Sequence, residues 1–402
     1  MRPSSFDEPT ESLSLSLKFG LSASDAPCSP AVKAYHDALE HSITMTPPVT
    51  PRWTDELQTL CSQSRQIRET IDRRRINKHP ITSLDAPGAV DDFYSHTLDW
   101  SDKNILAVAL GDTAYLWNVT TRQVDTLVEL GDGSVVSSLC WMEGGRYLAV
   151  GTDASDLHLW DVQKGKCVRG LRGHASKITA TAVNRSIVTS GSEGGILFDS
   201  DLRVRQHRVF DRVGHQQGIT GLAWSPDKTV LASGGNDNTV RLWDSRPEPR
   251  VLREHSASVR ALAWAPRRNV LATGGGNGDN TIKIWNTAAD PHVVDTIHTD
   301  SQVCSLQWGR HHDEILSTHG FHTNSVRLWK YPNNIQQCDI RSHSSRVLHS
   351  AVSPDGRTVC TLGGERLLFW DFWSMNNPTV RSKLSTVSHG TRAFNRGLEI
   401  LP

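Results

Sequence analysis

Long apolar runs are missing from this 402-residue sequence. No stretch approaches the roughly 18–20 residues that cross a bilayer as a helix, so no membrane association is expected. The first residues, MRPSSFDEPTES, are polar and acidic and do not read as a secretory signal. Net charge is missing too: 43 Lys and Arg balance 43 Asp and Glu. That argues against a dedicated nucleic-acid binder, which needs excess positive charge to displace counterions from phosphates. The seven cysteines are odd in number and scattered, with no C-x-x-C. Neither a disulfide framework nor a zinc ribbon fits that spacing. Reduced thiols in the cytosol or nucleus are expected, mostly as small core side chains.

What is present is glycine (30) and tryptophan (13), a pairing that suits tight turns around large aromatic anchors. An apolar strand ending in an aromatic recurs: TAYLWN (Trp117), DLHLWD (Trp160), GILFDS (Phe198), TVRLWD (Trp243), TIKIWN (Trp285), SVRLWK (Trp329) and LLFWD (Trp370). The intervals run from 38 to 45 residues, close to the roughly 40–45 of the WD repeat. A second signal keeps phase about 20 residues upstream: LDW (Trp100), LCW (Trp141), LAW (Trp224), LAW (Trp264) and LQW (Trp308). A Gly-His or bare His opens the blades at His174, His215, His255, His298 and His343. The fold class is therefore all-β, a seven-bladed WD-repeat propeller of four-stranded sheets. Asp92–Thr97 is expected to supply the outer strand of blade 7 and so close the ring without an exposed edge.

Blades 4 and 5 each carry residues spaced for a hydrogen-bond relay: His215, Ser233, Asp237 and Trp243, then His255, Thr273, Asp279 and Trp285. A buried indole N–H needs an acceptor, and a buried imidazole needs both nitrogens addressed. These groups look catalytic on paper. Repetition from blade to blade marks them as structural. No H-x-x-x-H pair falls on a helix, so no metal, cofactor or catalytic residue is expected, and an enzymatic propeller is the least supported class.

The flanks differ in composition. Residues 1–83 hold one tryptophan, Trp53, and many Pro, Ser and Thr; they read as a disordered arm with nascent helices around Ala31–His41 and Thr54–Arg75. Ser29, Thr46 and Thr50 each precede proline and are candidate phosphosites, where a phosphate would add about 1.5 to 2 negative charges. Residues 84–373 form the propeller region, and 374–402 a short, weakly basic, flexible tail.

The junction RRRINKHPITSLDAPGAVDDFYSHTLDWSDKNILAVAL is more specific than any repeat. It resembles the Fizzy / Fizzy-related family of WD-repeat co-activators of the anaphase-promoting complex, a ubiquitin ligase. YLAVGT (147–152), LASGGNDNTVRLWD (231–244), NVLATGGG (269–276), SQVCSLQW (301–308), WKYP (329–332) and SSRVLHSAVSPDG (344–356) agree, and the resemblance spans about residues 70–373. It implies a non-enzymatic substrate adaptor in nucleus and cytoplasm. The implied partners are ligase subunits, degron-bearing substrates such as cyclins and securin, and spindle-checkpoint proteins.

The resemblance also implies two degron sites. For the destruction box, R-x-x-L, the matching positions are Leu84, Asp85, Pro87 and Glu365. Asp85 and Glu365 would take the degron Arg, and Leu84 would line the slot for its Leu. For the Lys-Glu-Asn box they are Asp92, Phe93, Asn236, Asn277, Gln302 and Arg346. Asp92 would face the Lys and Arg346 the Glu; Asn236 and Gln302 would supply amides. Each has a plainer reading: Asp85 can cap the turn before Pro87, Arg346 can be a surface residue, and the two asparagines sit in turn-forming contexts.

The family's ligase-docking C-box, D-R-[FY]-I-P-x-R, is not found in residues 1–83, and the chain ends Glu-Ile-Leu-Pro where the family ends Ile-Arg. SPAVKAYHDAL (29–39) resembles the stretch after the C-box in the mitotic branch. Two readings stay open: the C-box lies upstream of Met1, or ligase docking is lost and the chain is a degron-binding competitor or divergent scaffold.

Overall fold

The computed structural model describes residues 76–131 and 133–373. The expected arm, its candidate phosphosites Ser29, Thr46 and Thr50, and the tail 374–402 lie outside the described residues. Among the described residues every regular element is a strand. The strands form seven four-stranded antiparallel sheets, the blades of a propeller. Six blades follow chain order, from Leu98–Trp100 at the start of blade 1 to Ile335–Ile340 at the end of blade 6.

The second strand of a blade, such as ILAVAL (Ile105–Leu110) or VLATGG (Val270–Gly275), reads as a continuous run because it is buried on both faces. Outer strands such as RVFDRV (Arg208–Val213) are exposed and carry charge. Seven hydrophobic clusters each join one pair of neighbouring blades, and together they cover all seven interfaces. The ring is thus closed by packing as well as by strand pairing.

Closure differs from the sequence expectation. The outer strand of blade 7 is Thr82–Asp85, antiparallel to Arg366–Asp371 with Thr82 opposite Phe369 and Asp85 opposite Arg366. Residues 92–97 do not pair there. The chain leaves the strand through Pro87 and Gly88, whose φ of 81° favours glycine, and turns inward. At His96 it meets Ser138 of blade 2 as a parallel bridge. Phe93, buried against Cys304 and Leu348, decides the difference: on an outer strand that ring would face water.

Three of the upstream tryptophans have a clear role. The indole N–H of Trp141 reaches Asp99 O of blade 1 (3.3 Å), that of Trp264 reaches Ala223 O of blade 4 (3.0 Å), and that of Trp308 reaches Ala263 O of blade 5 (2.9 Å). Each of these three staples its blade to the preceding one, whereas Trp100 donates to Asn104 of its own blade (3.0 Å) and the Trp224 N–H meets no acceptor among the described residues.

Candidate peptide-binding site

The relay residues come together within their blades. In blade 4, His215 Nδ1 bonds Asp237 (3.0 Å), its Nε2 bonds Ser233 Oγ (2.8 Å), and Trp243 Nε1 donates to the same hydroxyl (2.8 Å). In blade 5, His255 contacts Asp279 (2.9 Å) and Thr273 Oγ1 (2.7 Å), and Trp285 Nε1 donates to Thr273 Oγ1 (2.8 Å). The carboxylate can only accept, so Nδ1 carries a proton in each ring. Glycine is fixed beside the relay: a Cβ on Gly235 would collide with His215 Nδ1 and Asp237 Oδ1. The other blades vary the theme. His174 bonds Ser190 (2.8 Å) and stacks on Phe198, which has no N–H to satisfy. His343 and Trp370 share Thr361. In blade 6 the blade-start His298 is exposed, and His319 instead bonds the Ser317 hydroxyl that accepts from Trp329.

The alternation of strand direction places the connections that contain Asp92, Asn236, Asn277, Gln302, Arg346 and Glu365 at one end of the propeller. Across that end runs the 91–97 segment. Its two aspartates are held from different blades. Arg346 of blade 7 donates from Nε to Asp91 Oδ1 (3.0 Å) and from Nη2 to Asp91 O (3.0 Å). Lys177 of blade 3 bonds Asp92 (2.5 Å), which also accepts from Ser95 Oγ (2.5 Å) and Tyr94 N (2.9 Å). Burial alone would raise the Asp92 carboxyl; the bonds from Lys177, Ser95 and Tyr94 outweigh it and hold the group below the usual carboxylate value. Tyr94 reaches Asn236 Oδ1 (3.3 Å), and Asn236 Nδ2 reaches Gln217 (2.9 Å).

Gln302 is buried, with an Oε1 that accepts no bond, and it lines Gly320 beside the Arg346 side chain. Arg346 also lies over the exposed Phe321 ring, 4.7 Å from its centroid. Asn277 is exposed on a blade 5 turn, and among the described residues nothing bonds it to the other five.

Two expectations therefore change in detail. Asp92 does not offer a free carboxylate, because Lys177 already neutralises it. Asp91, whose side chain is 56% exposed, is the more open anion. Arg346 is likewise paired in place, and an incoming carboxylate would compete with Asp91 for it.

The other four residues lie at the edge between blades 7 and 1. Leu84 is packed into the core between those blades and forms no open slot. Asp85 is half-buried, Pro87 exposed. Glu365 is exposed; its main-chain O accepts from Ala86 N (2.8 Å) and its Oε1 from Gly88 N (3.3 Å). The arrangement sets two carboxylates on adjacent strand ends, with Arg366 directly across the ladder from Asp85. It suits a cationic side chain.

Asp91, Tyr94, Lys177 and Phe321 also stand at this end and were not among the residues expected from the sequence. Lys177 had a readable signal. HASKI (174–178) and HSSRV (343–347) are the same loop in two blades, so Lys177 is the repeat equivalent of Arg346.

Comparison with known proteins agrees. A family model described as the CDC20/Fizzy WD40 domain matches residues 84–370. The anaphase-promoting complex subunit cdc20 of Dictyostelium discoideum is 42% identical over 358 residues, covering 85% of this chain and 72% of that protein. Protein FIZZY-RELATED 1 of Arabidopsis thaliana is 41% identical over 322 residues, covering 79% and 68%. Among solved structures, a chain of a mitotic checkpoint complex crystal structure superposes with a TM-score of 0.73 at 40% identity, covering 75% of this chain and 94% of that one. With strand closure, relay and the 91–97 segment all in place beside these matches, the chain belongs to the CDC20/Fizzy family of WD40 propellers.

Proposed function

We propose that the chain is a substrate-recognition co-activator of the anaphase-promoting complex, capturing destruction-box and Lys-Glu-Asn degrons of cell-cycle proteins. The observation that carries the reading is the charge clamp at the channel mouth. Two adjacent aspartates and two cations from blades 3 and 7 stand with the amides of Asn236 and Gln302. A Lys-Glu-Asn peptide presents the complementary set in three consecutive residues: a cation, an anion and an amide. The Asp85–Glu365 edge would serve the Arg of a destruction box. The chain would act without chemistry of its own, in nucleus and cytoplasm, with cyclins, securin and checkpoint proteins among its partners.

The test is a fluorescence anisotropy titration with each degron peptide and its alanine-substituted version. Arg346→Glu is expected to abolish Lys-Glu-Asn binding and spare the destruction box. Asp85→Arg is expected to do the reverse. Binding that survives both changes would show that these residues are scaffold and that the receptor assignment is wrong.

A further inference from the structure

Arg260, on the inner strand Val259–Trp264 of blade 5, is 2% exposed, and no carboxylate among the described residues bonds it. Its Nη1 donates to Cys304 O of blade 6 and to Leu348 O of blade 7 (2.6 Å). Its Nη2 donates to Ser95 O (2.6 Å) and His349 Nδ1 (3.0 Å). All four terminal N–H groups thus have acceptors, while Nε–H has none. Since the guanidinium only donates, His349 Nδ1 must accept, which leaves Nε2–H for Thr97 Oγ1 (3.1 Å).

The three carbonyls are not arbitrary. Cys304 and Leu348 are the residues whose side chains floor Phe93, and the guanidinium itself lies 5.6 Å from the Phe93 ring centroid. Ser95 lies three residues after Asp92, and its hydroxyl donates to that carboxylate (2.5 Å). One side chain therefore ties blades 5, 6 and 7 to the segment that carries Asp91, Asp92, Phe93 and Tyr94. Removing it leaves three buried carbonyls short of a donor and frees the segment on its underside. The Leu84–Pro87 turn and Glu365 are held differently, by the blade 7 ladder, and do not depend on Arg260.

We propose that Arg260 is a positioning residue for the Lys-Glu-Asn site: it sets the height and register of the 91–97 segment from inside the channel without touching the peptide. This rests on the reading of that site as a degron receptor. If a released segment holds its competent arrangement about a tenth of the time, the apparent Kd rises about tenfold. A lysine has three donor hydrogens for four acceptors, so Arg260→Lys gives a partial loss and Arg260→Met a full one.

The experiment combines peptide titration with hydrogen exchange by mass spectrometry on the full chain. The variants are Arg260→Met, Arg260→Lys and Leu159→Ala, a core truncation between blades 2 and 3 that controls for lost stability. Arg260→Met is expected to weaken Lys-Glu-Asn binding about tenfold or more, to leave the destruction-box Kd within about twofold, and to speed exchange over 91–96 while the outer blade strands stay protected. Arg260→Lys is expected to fall between, and Leu159→Ala to lower Tm without moving either Kd. Unchanged exchange over 91–96, or equal loss of both peptides with faster exchange throughout, overturns the proposal. If the wild type binds no Lys-Glu-Asn peptide, the receptor reading fails, and the exchange data alone decide whether Arg260 holds the segment. Should Arg260→Met fail to fold, Arg260→Lys carries the same comparison.

Discussion

Replacing Thr273 by valine removes one oxygen and leaves the shape of the blade 5 core almost unchanged. That oxygen accepts the indole N–H of Trp285 and bonds His255 Nε2, and Thr273 is fully buried, with Trp285 2% exposed. The change strands a buried donor on Trp285 and a buried nitrogen on His255, each at about 1–3 kcal/mol. Allowing for partial relaxation, Thr273→Val should destabilise by about 2–4 kcal/mol. Trp285→Phe removes the donor that the hydroxyl serves. In the double variant the indole N–H is no longer stranded, so the two losses should be less than additive by about 1–2 kcal/mol. Urea unfolding followed by fluorescence of the remaining tryptophans gives the full cycle, and peptide titrations run beside it should be unchanged. Strict additivity, or loss of degron binding by Thr273→Val while folded, would refute the structural reading of the relay.

Acid should unfold the propeller early. Burial pushes His96 and His319 down to about 3, and His174 and His343 down to about 4. Each takes up its proton only on unfolding near its ordinary value of about 6.5, so their contribution is full above that value and is lost as pH falls toward 4. Asp99, raised to about 6 by burial, works the other way over the same window. His349, fully buried, is held well below its ordinary value as well, so the unfolded chain binds several more protons than the folded one between pH 6.5 and 4, and Tm should drop steeply between pH 7 and 5; a flat profile there contradicts the buried neutral histidines. Lys177→Met leaves the Asp92 carboxylate without its cation and should cost about 2 kcal/mol by urea unfolding, with Arg346→Met giving a smaller loss because Asp91 is largely exposed. Gly235→Ala drives a methyl into the His215–Asp237 pair and should cost more than about 2 kcal/mol; a neutral result by the same assay would mean that the pair can move aside.

The parts that were legible in the sequence were the periodic ones. Aromatic strand ends, upstream tryptophans and the blade 4 and 5 relays each recur because each blade solves the same packing problem, so a single sequence displays the solution several times. The parts that were not legible occur once. Thr82–Asp85 is four residues with one buried apolar side chain, and its partner strand lies at the far end of the propeller; nothing local distinguishes it from a loop. Residues 92–97 look like a strand by composition, yet Phe93 finds a deeper burial in the channel. Arg260 resembles any polar residue of an inner strand until three carbonyls and an imidazole converge on it. His319 replaces His298 because the Ser317 hydroxyl can be reached from its own strand two residues on, a substitution invisible to alignment of blade starts. At the candidate site, residue types matched to a family pointed to residues that the fold gathers at one end of the propeller. They did not show that Asp92 and Arg346 are already paired, since ion pairing depends on which loops meet.

The most direct measurement is reconstituted ubiquitylation. The full chain is added to purified anaphase-promoting complex with a ubiquitin-charging system and a fluorescent substrate carrying a Lys-Glu-Asn or destruction box. The account predicts a ubiquitin ladder that requires both chain and degron, and that disappears with the Asp85→Arg and Arg346→Glu double substitution. Degron peptides that bind the chain while it blocks, or fails to raise, ubiquitylation would contradict the co-activator reading and leave a degron-binding competitor in its place.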